Sequence, residues 1–132
     1  MKLIDVVAAI IQHQDKILLA QRDESSDQAG LWEFPGGKVE PGESQPQALR
    51  RELAEELDID AKISGYVASH QRDLPDRRIC LHAWRVEEFY GEPQMHCHSA
   101  LIWVTPEQAL NYPLAPADIP LLEAFISQRT TK

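Results

Sequence analysis

Cysteine is scarce in this sequence of 132 residues, which contains only Cys80 and Cys97. Two cysteines without a C-x-x-C pair are too few for a disulfide scaffold. We therefore predict two free thiols and a reducing compartment.

Positive charge is also in short supply, because 13 Lys and Arg residues face 21 Asp and Glu residues and the formal net charge is -8. A surface with this balance does not attract nucleic acid or an anionic membrane. We expect neither as a partner, and a small anionic ligand would have to be held by a local arrangement of groups. Nothing in the composition distinguishes a monomer from a weak homodimer.

Long apolar runs are missing as well, since no stretch approaches the roughly 20 apolar residues of a membrane span. The N-terminal residues MKLIDVVAAII have the hydrophobicity of a signal peptide, but Asp5 interrupts the run and no small-residue cleavage site follows. We interpret this segment as a strand and expect a cytoplasmic protein.

The remaining composition is that of an ordinary globular protein, with 43% hydrophobic and 26% charged residues. The length predicts a single domain over 1–132. Ser44 and Gln47 form an S-x-x-Q capping box, which predicts the start of a helix near 45–57. Pro35-Gly36-Gly37 should interrupt any regular element. Strands are predicted over 6–11, 16–20, 62–69, 78–86 and 101–104, and a last helix from 117 or 119 to 127.

Three carboxylates share one face of the first predicted helix. Glu52, Glu55 and Glu56 are spaced i, i+3, i+4, so like charges lie side by side near the helix C-terminus, where the helix dipole also disfavours them. A cation would relieve this repulsion. Mg²⁺ is the natural candidate, because it takes oxygen ligands and commonly bridges protein carboxylates to substrate phosphates.

These glutamates belong to a longer pattern: Gly37, five residues, Glu43, seven residues, then Arg51-Glu52-Leu53-Ala54-Glu55-Glu56. The pattern resembles the signature of the Nudix hydrolases. The resemblance implies an α+β fold of the α/β/α Nudix type, with a mixed sheet between helices. It also implies Mg²⁺-dependent hydrolysis of a nucleoside triphosphate to a monophosphate and pyrophosphate, with Mn²⁺ as a substitute ion.

The segments LWEFPGGKVE and YPLAPADIPLLEAF extend the similarity to members of this family that prefer CTP, dCTP and oxidised or methylated dCTP. Three alternatives stay open. One is an enzyme of the 8-oxo-dGTP type. Another is a Nudix hydrolase acting on other nucleoside diphosphate derivatives. The third, of a different class, is a nucleotide-binding sensor without catalysis.

Carried over position by position, the resemblance implies that Glu52 and Glu56 are metal ligands with Glu55 beside them, and that the Gly37 carbonyl is a further ligand. Glu52 is the candidate general base, and Glu55 is a second catalytic candidate because family members differ in which acid plays that part. Arg51 should pair with Glu43 or Glu55 rather than with substrate, because it lies about 100° around the helix from Glu52.

The candidate substrate contacts lie around this motif. Glycine at 36 permits close backbone approach to phosphate, although two adjacent glycines alone indicate only a turn. Phe34 is expected either to contact the base or to lie in the core. The other candidates are Pro35 beside the glycines and the cations Arg22, Lys38, Arg72 and Arg77.

Asp118 is the candidate for base recognition. Where this chain has Asp118, mutator-type enzymes for 8-oxo-dGTP carry Asn. An ionised carboxylate only accepts hydrogen bonds, which suits the N4 amino group of cytosine and equally the amino group of adenine. The competing interpretation is an N-cap for the last helix.

Two positions depart from the family pattern. Asp58 occupies the usual place of glycine at the helix end, where a left-handed conformation is expected at some strain. Cys97 occupies a place where related enzymes often have an acidic metal ligand, so the number of ions is left open. The run His96-Cys97-His98 suggests zinc, but adjacent residues rarely converge on one ion, so we do not predict zinc there.

Overall fold

The computed structural model describes residues 2–130. Within that range it contains seven strands and three helices. The strands are Lys2–His13 (β1), Lys16–Arg22 (β2), Trp32–Glu33 (β3), Gly36–Lys38 (β4), Asp60–Leu74 (β5), Arg77–Tyr90 (β6) and His98–Val104 (β7). The helices are Gln45–Leu57 (α1), Pro106–Ala109 (α2) and Asp118–Thr130 (α3).

The sheet is mixed, as predicted, and β1 is its central strand. β1 pairs in parallel with β6 and antiparallel with β2 and β4. β5 extends the sheet beyond β6, while β3 and β7 both pair with β2. This arrangement brings β4, β3 and the start of β7 close to the same part of β1.

Helices cover both faces of the sheet, and the alternation of side chains along β1 explains why. Val7 and Ala9 point to one face, where they pack with Leu49 and Leu53 of α1. The intervening residues of β1 point to the other face, where Leu121 and the neighbouring apolar residues of α3 cover them. The predicted sheet between helices is therefore confirmed.

Helix α1 has the ends that the sequence predicts. Ser44 is the N-cap, and it forms a reciprocal capping box with Gln47. At the other end Asp58 is left-handed, with φ 57° and ψ 32°, and its N–H donates to the Ala54 carbonyl. The buried residues Leu49, Leu53 and Leu57 lie on the sheet side, and the partly buried Glu52 and Glu56 lie along one edge of this apolar stripe.

Three expectations need correction. Residues 36–38 form strand β4 rather than a break, because the register places Gly36 opposite Ala8, where a Cβ would collide with the Val7 carbonyl oxygen. The short helix α2 was not predicted, since one turn leaves too little periodicity to detect. Several strands are also longer than predicted. No helix among residues 2–130 is long and apolar enough to cross a membrane.

Candidate active site

A cleft of about 540 Å³ opens beside β1. Its walls come from β1, the end of β2 and the loop after it, the β3–β4 segment, the end of α1, β5, β6, the start of β7 and the segment that leads into α3. Segments that are distant in sequence therefore contribute to one cavity. The predicted site residues that line it are Arg22, Phe34, Gly36, Gly37, Lys38, Glu56, Arg72 and Asp118.

Gly37 and Glu56 line one end of the cleft, and Glu52, which does not line it, has its carboxylate against Gly37; we call these three residues the carboxylate end. A Cβ on Gly37 would collide with the Glu52 carboxylate, so glycine is required for this approach. Burial raises the pKa of Glu52. Burial also raises the pKa of Glu56 to about 7, and the Glu52 and Glu33 carboxylates add to that rise.

The carboxylate end fits a divalent cation. Oε1 of Glu56 is buried without a hydrogen-bond partner, and a bound ion or water would satisfy such an atom. The raised pKa values show that two carboxylates here are unfavourable without a positive charge. Oxygen atoms from Glu52, Glu56 and the Gly37 carbonyl are donors of the kind Mg²⁺ prefers.

Arg51 forms an ion pair with Glu43, as predicted. Its Nε lies 2.8 Å from Glu43 Oε2, and its Nη2 donates to Glu43 Oε1 at 3.0 Å and to the Lys38 carbonyl at 3.1 Å. Glu55 is 3.6 Å away and largely exposed. Arg51 also lies 3.3 Å from Glu52, a contact that the helix angle alone did not suggest. The guanidinium therefore joins α1 to the β4 segment that carries Gly37.

A chain of polar contacts supports the opposite wall of the carboxylate end. Arg22 Nη1 donates to Glu33 Oε1 at 2.6 Å, and the other oxygen of Glu33 lies 3.0 Å from Nε2 of His98. The His98 side chain is only 3% exposed. Arg22 also binds Asp27, so it is committed to protein contacts although it lines the cleft.

Cys97 lies between His98 and Glu56. Its Sγ is 3.6 Å from His98 Nδ1, and it forms a hydrogen bond with the Glu56 side chain. Burial and the Glu56 carboxylate raise the pKa of the thiol to about 11. His96, by contrast, turns away and binds Asp58 at 2.7 Å. The three residues of the His-Cys-His run thus do not converge, although two of them meet Glu56.

Asp118 and Phe34 form what we call the Asp118 end of the cleft. Asp118 is 5% exposed and Phe34 is 3% exposed. Burial and, to a lesser extent, the Glu33 carboxylate raise the pKa of Asp118 to about 8, although Arg22 and the Phe34 N–H oppose the rise. Asp118 therefore keeps its proton to a higher pH than an ordinary carboxyl group, whereas the argument from sequence considered its ionised form. It is the first residue of α3, and its carboxyl interacts with Phe34 of another segment.

Phe34 is part of the core, as one interpretation of the sequence predicted, and it also lines the cleft, so contact with the base stays a prediction. The Pro35 carbonyl accepts from the Ala9 N–H at 2.8 Å, so its backbone is already used in the fold. Arg77 does not line the cleft. It begins β6 opposite Lys2, at the turn after β5.

Sequence reasoning missed Glu33 as a site residue and did not predict a role for His98. Glu33 lies inside the segment LWEFPGGKVE, so the resemblance was the available signal. His98 is 65 residues away from Glu33. No periodicity connects them, because β2 brings them together by pairing with β3 on one side and β7 on the other.

Comparison with known proteins agrees with this site. The NUDIX domain family matches residues 1–125. The chain is 65% identical over 132 residues to CTP pyrophosphohydrolase of Escherichia coli K12, covering all of this chain and 98% of that protein. It is 35% identical over 128 residues to 8-oxo-dGTP diphosphatase of Haemophilus influenzae, covering 96% of this chain and 94% of that one.

A solved structure shows the same arrangement of the backbone. The solution structure of the E. coli ORF135 protein superposes with a TM-score of 0.93 at 65% identity, and the match covers all of this chain and 94% of that one. The motif, the fold and the matched relatives agree, and the chain belongs to the NUDIX family of hydrolases.

Proposed function

We propose that this protein hydrolyses nucleoside triphosphates to a nucleoside monophosphate and pyrophosphate in the presence of Mg²⁺, with preference for CTP, dCTP and oxidised or methylated dCTP. The observation that carries the proposal is the cleft itself, which has a partly buried carboxylate cluster at one end and a buried carboxyl with an aromatic ring at the other. The 65% identity to an E. coli CTP pyrophosphohydrolase supports the choice of substrate. Removal of damaged cytosine nucleotides from the precursor pool follows as a role.

Glu52, Glu56 and the Gly37 carbonyl would hold Mg²⁺, with Mn²⁺ as a substitute and Glu55 as an outer carboxylate. The ion would supply neutralisation of phosphate charge and polarisation of the attacked phosphorus. Glu52 takes the proton of the attacking water, because burial raises its pKa toward the range that suits a general base. Lys38 and Arg72, which line the cleft, contact phosphate oxygens.

Base recognition depends on the protonation state of Asp118. When protonated, its carboxyl donates and accepts, much as Asn does, and it can pair with either cytosine or guanine. When ionised, it only accepts, so it can pair with the N4 amino group of cytosine and cannot pair with the O6 oxygen of guanine. Selectivity for cytosine over guanine should therefore increase as pH rises through about 8, the pKa of this group.

The test is a panel of ribo- and deoxynucleoside triphosphates with Mg²⁺, in which pyrophosphate and orthophosphate release are both measured. Pyrophosphate as first product and the largest kcat/KM for cytosine nucleotides are expected. Orthophosphate as first product would contradict the proposed cleavage. Absence of turnover on every nucleotide, with binding retained, would identify a sensor instead.

The second arm repeats the comparison of CTP with GTP between about pH 7 and about pH 9. The ratio of the two kcat/KM values cancels effects of Glu52 ionisation, because both substrates depend on them equally. We expect the ratio to rise with pH in the wild type and to stay flat in Asp118→Asn. Equal rates on cytosine and guanine nucleotides at all pH values would remove Asp118 from base recognition.

An 8-oxo-dGTP diphosphatase is the second candidate, because the matched H. influenzae protein has that name. The panel separates the two when 8-oxo-dGTP is included. We further propose a cytoplasmic protein that acts on free nucleotides as a monomer or weak homodimer. Its two unpaired thiols support a reducing compartment.

A further inference from the structure

Three side chains of different chemistry converge beside the carboxylate end. One oxygen of Glu56, the Sγ of Cys97 and a ring nitrogen of His98 all lie within 4.8 Å of one another. Glu56 comes from α1, while Cys97 and His98 come from the start of β7. We propose that Glu56, Cys97 and His98 bind one divalent transition-metal ion of the zinc type, beside the Mg²⁺ position and sharing Glu56 with it.

The distance between sulfur and nitrogen fits one ion. Tetrahedral Zn²⁺ binds sulfur at about 2.3 Å and nitrogen at about 2.0 Å, which separates those two ligand atoms by about 3.5 Å. The separation of Cys97 Sγ from His98 Nδ1 is 3.6 Å. Adjacent residues rarely bind one ion because their side chains usually diverge, but here the backbone at the start of β7 places both on the same side.

His98 is already held as a metal ligand would be. Its Nε2 lies 3.0 Å from the Glu33 carboxylate, which only accepts hydrogen bonds, so the proton of the neutral ring resides on Nε2. The lone pair of Nδ1 then faces Cys97. Carboxylate contacts of this kind fix the tautomer and orientation of ligating histidines. Arg22 donates a hydrogen bond to the other oxygen of Glu33. Glu33 therefore orients His98, and Arg22 orients Glu33.

The donor set selects against Mg²⁺. Mg²⁺ requires oxygen ligands, whereas Zn²⁺ accepts a thiolate, an imidazole and a carboxylate in one site. The buried Oε1 of Glu56 has no partner in the protein, so this carboxylate can serve the ion. Three protein ligands would leave one tetrahedral position for water. Glu56 would be a ligand at both this site and the Mg²⁺ position. The proposal is tested by metal binding without nucleotide, so its test does not depend on hydrolysis.

The experiment titrates metal-free protein with Co²⁺ in the presence of a large excess of Mg²⁺. Cobalt reports on zinc sites because a thiolate ligand gives an intense charge-transfer band in the near ultraviolet and tetrahedral geometry gives strong visible bands. We expect both, saturating at one Co²⁺ per chain, and we expect Zn²⁺ to bleach them.

Matched variants identify the ligands. Cys97→Ser should abolish the charge-transfer band, whereas Cys80→Ala, which removes the other thiol, should leave it unchanged. Glu33→Gln should weaken Co²⁺ affinity about 10- to 100-fold while keeping the band, because it disturbs the support and not the ligand. Thermal unfolding of each metal-free variant shows that the fold is intact.

Two results would overturn the proposal. One is a weak visible spectrum typical of octahedral, oxygen-bound Co²⁺ that is the same in the wild type and Cys97→Ser. The other is a charge-transfer band that survives Cys97→Ser and disappears in Cys80→Ala. Loss of nucleotide hydrolysis in any of these samples would bear on the proposed function only, since no spectrum depends on turnover.

Discussion

The two ends of the cleft are built in different ways. The carboxylate end takes Glu52 and Glu56 from helix α1 and Gly37 from strand β4. Arg51 of the helix joins the two elements by donating to the carbonyl of Lys38, 13 residues earlier in the chain. The Asp118 end joins residues 34 and 118, which are far apart in the chain. Burial is the main cause of the raised carboxyl pKa values at both ends, and it raises the pKa of Glu56 to about 7 at the first and that of Asp118 to about 8 at the second.

Glu52→Gln should have the largest effect, because it removes the proposed base while preserving the shape of the carboxylate end. We expect kcat to fall about a thousandfold with nucleotide binding largely retained. Steady-state kinetics and calorimetric binding measure the two quantities. Glu123→Gln, at an exposed position of α3, is the matched control and should be unchanged. Near-normal turnover in Glu52→Gln would exclude Glu52 as the base.

Gly37→Ala should come next, with about a hundredfold loss of kcat. The new Cβ collides with the Glu52 carboxylate and displaces it, and a displacement of about 1 Å can cost that factor. Gly36→Ala is the informative comparison, since its Cβ meets the backbone of Val7 and should reduce stability instead. Gly37→Ala should lose mainly kcat, whereas Gly36→Ala should lose mainly free energy of unfolding. Both quantities are measured for both variants. Equal loss of stability in the two would contradict this distinction.

Asp118→Asn tests the Asp118 end through the pH dependence of stability. The folded pKa of Asp118, about 8, lies above the ordinary aspartate value of 3.8, so the folded state loses stability as pH rises between these values. Asn does not ionise. We expect the free energy of unfolding of the variant, relative to that of the wild type, to increase by about 2 kcal/mol or more when the pH is raised from about 5 to about 8. Urea unfolding at both pH values measures this gain, and parallel profiles would contradict it.

Arg51→Ala should lower kcat about tenfold, because the contacts that hold Gly37 against Glu52 are lost while the acids themselves remain. Arg50→Ala is the matched control, since Arg50 is the preceding residue of the same helix. Its side chain is directed away from the cleft and forms an ion pair with Asp60 at a distance of 2.9 Å. It should leave kcat unchanged. Equal kinetics in the two variants would show that Arg51 does not position the site.

Asp58→Gly should have the smallest effect. Glycine adopts the left-handed conformation freely, but the exposed contact with His96 is lost, and the two effects nearly cancel. We expect the free energy of unfolding of Asp58→Gly to lie within about 0.5 kcal/mol of the wild-type value and to exceed that of Asp58→Ala by about 1 kcal/mol. Thermal unfolding of the three proteins would settle the order, and equal stability of the glycine and alanine variants would contradict it.

The sequence predicted the carboxylate end well, because its parts follow local rules. The helix limits, the capping box, the left-handed Asp58 and the Arg51–Glu43 pair are all confirmed. Each of these depends on spacing along one helix and its two ends. Helix periodicity and the family motif therefore sufficed for this region.

The Asp118 end and the Cys97 wall were less predictable, because strand pairing creates them. Nothing local shows that Asp118 is buried or that Glu33 meets His98. Pro35-Gly36-Gly37 predicted a break, yet pairing with β1 makes Gly36–Lys38 a strand. Local propensity was overridden wherever the sheet brought distant segments together.

The loop before β7 is fastened to the end of α1 by the Gln94 N–H, which donates to the Leu57 carbonyl at 2.9 Å, and by the pair of His96 with Asp58. These contacts fix the backbone on both sides of the helix end without using the side chain at position 97. The side chain at position 97 can therefore be exchanged without loss of the contacts that hold this loop in place. The loop thus separates the residue that faces Glu56 from the residues that fix its backbone.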